Sequence, residues 1–180
     1  MDGAVLADND ISSVERVTMI RFVLALGLVL TTNFAVQAQD AAQIARVQTG
    51  QSCSGCNLFQ ADLAYRDLPD IDVSGARLRQ ADLSLATMNR ANFDNANMSV
   101  ANLFGARVTG SSFRNTDLSN AVLVGSYFGS SNLSRADLSG ANLSGAEMAS
   151  VTGLTQTQLN SACGDAATQL PAGLHVSPCQ

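Results

Sequence analysis

From Leu58 to Met148 every fifth residue is apolar, nineteen positions without a slip in register. Two residues ahead of nearly all of them stands a small side chain, mostly Ala, with Cys56, Ser111, Thr116, Ser126 and Ser131 in the same column. Asp or Asn mostly lies between the two, and the last two positions of each unit are rich in Ser and Gly. A period of five fits neither a helix nor a strand. In extended chain, residues two apart share a face, so the small residue and the large apolar one point one way and the Asp or Asn points out. Because five is odd, a continuous strand would place the next small residue on the wrong side. The chain must turn once per unit, and Ser, Gly, Asn and Asp are residues suited to turns. Turns of one hand wind the chain into a coil with Leu at its centre, and adjacent coils can share hydrogen bonds at the strand spacing of ~4.8 Å. The pattern predicts an all-β solenoid.

The units "ADLSL", "ANFDN", "ANLFG", "ADLSG" and "ANLSG" stand close to the motif A(D/N)Lxx, and over residues 56–150 the chain resembles the pentapeptide-repeat proteins. The resemblance implies a right-handed quadrilateral β-helix with four repeats per coil. Nineteen repeats then make nearly five coils, a rod of roughly 23 Å. One stretch departs from the motif: "RDLPDIDVSG" puts Arg66 and Ile71 where small residues belong and adds Pro69. An unpaired Arg is not tolerated in such an interior, so the first coil is expected to bulge outward, as a loosened end or a functional loop.

A stacked solenoid exposes ladder edges and core at its ends and needs caps. At the front, residues 39–55 offer Asp40 as an N-cap, Ile44 and Val47 on one helical face and Gly50 as a stop. At the back, residues 151–180 offer a capping box, Thr155 with Gln158, a hydrophobic staple of Leu154 with Leu159, and Gly164 to end the helix before an irregular tail.

Ahead of the repeats the pattern changes again. "FVLALGLVL", Phe22 to Leu30, is an apolar block behind Arg16 and Arg21, followed by a polar stretch and "AVQA". This reads as a signal peptide, residues 1–38, cleaved between Ala38 and Gln39. An uncleaved anchor is the alternative, although the block is short of the ~18 apolar residues a spanning helix needs. The acidic leader (Asp2, Asp8, Asp10, Glu15) is unlike a signal start, and Met19 offers a second one. After cleavage eleven acids and eight arginines remain, a net charge of −3. The expected location is periplasmic or secreted, without stable membrane insertion, and the charge balance gives no basic footprint for nucleic acid.

Export makes an oxidising compartment, in which the even count of cysteines reads as disulfides. The rod implied by the resemblance separates Cys53 and Cys56 from Cys163 and Cys179 by more than the ~7 Å a disulfide can span. This leaves the pairs Cys53–Cys56 and Cys163–Cys179 and excludes a zinc site made of all four. "CSGC" also allows a redox couple of thioredoxin type, but without the βαβ context that reading requires.

Little else carries chemistry. His175 is the sole histidine and lies in the tail, and the many Asp residues recur for reasons of the repeat. The Asn-x-Ser matches at Asn97, Asn132 and Asn142 are by-products of the motif. No cofactor, metal or catalytic residue is expected, and the chain is read as a non-enzyme. With four repeats per coil, Phe104 stacks on Val124, with Val122 on the same face and Tyr127 around the corner. These four form a candidate patch for a protein partner or a second copy. For pentapeptide-repeat proteins the best-known activity is inhibition or protection of DNA gyrase by an acidic rod resembling duplex DNA. Here Asp62 and Asp82 are followed by Asn102, Val122 and Asn142, which makes no long acidic column. An exported interaction scaffold is the leading reading, gyrase interaction the first alternative, and an envelope thiol factor using Cys53 and Cys56 the second.

Overall fold

The computed structural model describes residues 39–180; the expected signal peptide, the start at Met19 and the cleavage point lie outside the described residues. The repeat geometry is visible in the pairing. Asn57 bridges Arg77, Asp62 bridges Asp82, Asp67 bridges Thr87 and Asp72 bridges Asn92, and the series continues to Asn132 with Thr152, always parallel and always twenty residues apart. Four repeats therefore complete one circuit of the coil.

Each repeat spends its backbone groups in the same way. The central residue donates up the stack, as Leu63 N does to Asp82 O at 2.8 Å, and the second residue donates down it, as Asp82 N does to Ala61 O at 2.9 Å. The turn closes when the next small residue donates to the central carbonyl, Ala81 N to Leu78 O at 3.0 Å. The Asp or Asn of the second position supports that turn. Asp82 Oδ1 accepts from Ser84 N at 2.9 Å, and Asn132 Oδ1 from Ser134 N at 2.9 Å. These side-chain bonds across two residues are the physical reason for Asp and Asn in the motif. The fifth residue turns the corner with positive φ whether or not it is glycine, as at Gln80 (59°), Asn95 (59°) and Gly125 (63°).

All nineteen central side chains are buried, and the small residues fill the space beside them. Where the small residue is polar, its hydroxyl is satisfied by a carbonyl: of the coil before for Ser111 on Met88 O at 2.9 Å, Thr116 on Phe93 O at 2.8 Å and Ser131 on Val108 O at 2.6 Å, and of its own turn for Ser126 on Leu123 O. Phe93 and Phe113 stack at 4.7 Å in the middle of the rod, and Phe128 tilts against Phe113 at 5.3 Å.

The expected bulge at Arg66 to Gly75 is absent. The ladder runs straight through it, with Thr87 N on Arg66 O at 2.8 Å and Asn92 N on Ile71 O at 2.9 Å. Arg66 avoids burial because the ladder supplies no repeat beneath it on that side, so its side chain is exposed, whereas Ile71 is buried. Pro69 is accommodated because fourth-position N–H groups bond only to side chains and its loss removes no ladder bond.

Helix α1 (Ala41–Gln48) covers the front, its N-cap Asp40 accepting from Gln43 N and its buried residues being Ile44 and Val47. Gly50, at φ 81°, ends it in a Schellman arrangement: Gly50 N bonds Val47 O and Gln51 N bonds Arg46 O. The ladder begins one repeat earlier than the register from Leu58 indicated. Cys53 N bonds Asp72 O at 2.8 Å and Gly55 N bonds Ser74 O at 2.7 Å, and Cys53 is buried in a central position. At the back, helix α2 (Gln156–Leu159) carries the Thr155–Gln158 capping box, with Leu159 buried and Leu154 packed on the core. It stops at Asn160, before Gly164, because the last coil competes for the chain: Gly140 N takes Ser161 O and Leu143 N takes Cys163 O. The tail then adds strands β1 (Cys163–Gly164) and β2 (Ser177–Pro178), which pair in parallel. It is a partial continuation of the stack rather than an irregular appendage.

Ionic ties run along the rod. Arg90 grips Asp70 in an exposed pair, and Arg114 grips Asp94 through Nε at 2.9 Å and Nη2 at 2.6 Å. Burial alone would raise the Asp94 carboxyl, but Arg114, the Ser112 hydroxyl and the Arg114 amide together hold it below its ordinary value. Asp137 is likewise lowered, by the Ser139 hydroxyl and amide. A carboxyl depressed in the fold stabilises above its unfolded pKa of about 4 and loses that contribution as pH falls through the folded value. Urea midpoints should therefore decline below pH ~4, and Asp94→Asn should flatten that decline. An acid limb of unchanged slope in the variant would contradict the assignment.

Candidate functional site

The side of the coil built from residues 61–65, 81–85, 101–105, 121–125 and 141–145 differs from the others. Its second-position column, Asp62, Asp82, Asn102, Val122 and Asn142, is continuous in the ladder and changes from acidic to apolar along the rod. Phe104 and Val122 are exposed here, by 48 and 39%, and Val124, half-buried, joins them through the bond from Gly105 N to Val124 O. Tyr127 is not part of this surface. It belongs to the next column with Thr87, Arg107 and Glu147, and the Arg107 guanidinium lies 4.6 Å from its ring centre.

The patch is larger than the sequence indicated. Tyr65 and Leu85 lie on the same side, exposed by 76 and 45%, and Val100, at 44%, occupies the corner leading into it. All three stand at the fifth position of their repeats, with φ of 60°, 57° and 59°. This left-handed conformation favours Gly or Asn, and a β-branched residue in it is an outlier. Large apolar side chains thus occupy turn positions where the backbone penalises them and water surrounds them. Of the five large hydrophobics exposed among the described residues, four share this side and the fifth borders it. The same φ recurs at Gln60, Asp70, Arg90 and Arg135, so what distinguishes Tyr65, Leu85 and Val100 is apolar bulk held in water.

Two other groups were singled out from the sequence. The cysteines pair as Cys53–Cys56 and Cys163–Cys179, with Cα separations of 5.6 and 4.8 Å, at the front and the back of the ladder respectively. Cys53 is buried and the pair spans the turn whose bond runs from Cys56 N to Cys53 O, a position that suits a clip better than an accessible couple. His175 is exposed, and its backbone exchanges hydrogen bonds with the Gln156 side chain, fastening the tail to α2. Among the described residues no His, Cys, Asp and Glu cluster has the makings of a metal site, and no helix is long and apolar enough to cross a membrane.

A family model for pentapeptide repeats matches residues 56–148, in overlapping blocks amounting to eight copies. Among solved structures, HetL, a pentapeptide repeat protein involved in heterocyst differentiation regulation from the cyanobacterium Nostoc sp. strain PCC 7120, is 23% identical, with a TM-score of 0.39 over 71% of this chain. The match spans 60% of the HetL chain. Rfr23, from the cyanobacterium Cyanothece 51142, is 25% identical over 72% of this chain and 97% of its own, with a TM-score of 0.33. A pentapeptide repeat protein of the Arabidopsis thaliana thylakoid lumen is 26% identical over 74 and 91% of the two chains, with a TM-score of 0.32. No curated protein matches, and no enzyme family is indicated. The five-residue register, the twenty-residue ladder and the family match agree: this chain belongs to the pentapeptide-repeat family.

Proposed function

We propose that this chain is a non-catalytic exported scaffold, a right-handed four-sided coil that presents one apolar side to a protein partner. The observation that carries the reading is the gathering of Tyr65, Leu85, Phe104 and Val122 on one side of an otherwise polar rod. Exposed apolar clusters of this kind mark contact surfaces. Export is supported by the cysteine pairs and by the targeting pattern of residues 1–38. Gyrase interaction through DNA mimicry is disfavoured, because the ladder interrupts its acids with Asn102, Val122 and Asn142.

The test is crosslinking in cells followed by identification of the captured protein. Phe104→Asp combined with Val124→Asp should abolish capture while leaving the circular dichroism spectrum unchanged and the unfolding free energy in urea within ~0.5 kcal/mol of the parent, as for other surface changes. N-terminal sequencing of protein from the envelope fraction should begin at Gln39. An uncleaved cytoplasmic product that inhibits supercoiling would overturn the reading.

A further inference from the structure

The apolar side does not end where its side chains do. Leu85 lies over Gly105 so closely that a Cβ there would come within 2.7 Å of Leu85 Cδ2. Beyond it nothing lies within 4 Å of the place a Cβ would take at Gly125, and at Gly145 only the Gly125 backbone comes near. Gly125 and Gly145 thus leave the surface open beside the column of Phe104 and Val124. At its rear the column continues through Ser144 into a hollow of about 550 Å³, lined also by Gly164, Asp165, Val176 and Pro178. Asp165 stands one coil above Gly145, whose N–H donates to its Oδ1 at 2.8 Å. That amide, with the Thr168 hydroxyl and the Ala167 and Thr168 amides, outweighs burial and keeps its carboxyl below the ordinary value.

The charges on this side are of one sign. Asp62 and Asp82 lie toward its front and Asp165 at its rear, and none of its five repeats contains an arginine. A second copy of the same side would therefore face it acid to acid. A partner with basic side chains beyond an apolar stretch is complementary.

The spacing selects the partner's shape. Ladder bonds run along the rod, so this side presents no free strand edge and a partner must bind through side chains. Successive coils are ~4.8 Å apart. Same-facing residues of an extended peptide are about 6.7 Å apart, out of step by nearly 2 Å at each coil. An α-helix advances 5.4 Å per turn, so side chains at i, i+3 or i+4, and i+7 stay near Leu85, Phe104 and Val124 over three coils.

We propose that the apolar side, resting on the scaffold reading above, docks an amphipathic basic helix laid along the rod. Its apolar stripe covers Leu85, Phe104 and Val124, and a Lys or Arg two turns further on faces Asp165 at the hollow.

The probe is a fluorescein-labelled peptide of about 18 residues in an Ala/Gln background, matching a helix of five turns. It carries Leu at its first, fourth and eighth positions and Arg at its fifteenth. Anisotropy should show saturable binding to the oxidised protein, weakened at least tenfold when Arg is replaced by Glu or when the protein carries Asp165→Asn. The Asn retains the Oδ1 acceptor for Gly145, and circular dichroism should confirm that it folds. Phe104→Asp with Val124→Asp should abolish binding of both peptides. Equal binding of the Arg and Glu peptides, better binding by a peptide with Leu at alternate positions, or no binding at all would overturn the basic-helix partner. If cellular capture still depends on Phe104 and Val124 in those cases, the scaffold reading stands; if capture ignores them, both fall.

Discussion

Phe113→Ala is expected to be among the most damaging single substitutions in this chain, lowering stability by about 3–5 kcal/mol, the usual cost of truncating a buried Phe. The ring is fully buried, stacks on Phe93 at 4.7 Å and meets Phe128 at 5.3 Å. It therefore ties side chains twenty residues before it and fifteen after it into one stack. In a stacked array each coil is stabilised by its neighbours, so a void in the middle weakens contacts on both sides. The thermal midpoint should fall by on the order of 10 °C. Phe104→Ala, on the exposed side, should change it little. Comparable shifts for the two variants would contradict the assignment of inside and outside.

Opening the rear disulfide is expected to cost about 3 kcal/mol by the chain-entropy relation, against about 2 kcal/mol for the front one. The difference follows from loop length, since Cys163 and Cys179 are separated by 16 residues and Cys53 and Cys56 by three. The rear bond also holds β2, which is only two residues long, against β1, assisted by Cys179 N on Gly164 O at 3.0 Å. Cys163→Ser with Cys179→Ser should lower the urea midpoint and release hydrogen-exchange protection at Cys179 and along β1. Protection in the central coils should persist. Full protection of the tail in the variant would show that the ladder alone holds it.

The five-step register by itself makes the core legible: every residue from Leu58 to Met148 that it places at the centre is buried. The same step also reaches Cys53, but Gln51 in the small position and a cysteine in the central one disguise that repeat. The tail was less legible for a physical reason. Cys163 pairs with Asn142 and Gln169 with Glu147, at offsets of 21 and 22 rather than twenty, so no fixed register finds them. At Arg66 the side chain departs from the motif while the ladder depends only on the backbone, so the bond from Thr87 N to Arg66 O survives.

The apolar side was half visible. Phe104, Val122 and Val124 stand out in the second and fourth positions, where polar or small residues are the rule. Tyr65, Leu85 and Val100 occupy the fifth position, and their meaning emerges only with a φ near +60° and the resulting exposure. The signal available in sequence was a large apolar residue at a place where neighbouring repeats use Gly or Asn. Tyr127 stands around the corner, as the register placed it, because the second positions of adjoining repeats lie on different sides of the coil, and Arg107 covers its ring.

Site-specific photo-crosslinking in cells tests whether the apolar side is the contact surface. A photoreactive residue at position 122, on the apolar side, is compared with one at position 134, half a circuit away on a polar side. A discrete protein adduct is expected from position 122, lost with Phe104→Asp and Val124→Asp, and none from position 134. Adducts of equal yield from both positions, or an adduct from 122 untouched by the two substitutions, would contradict that role for the apolar side.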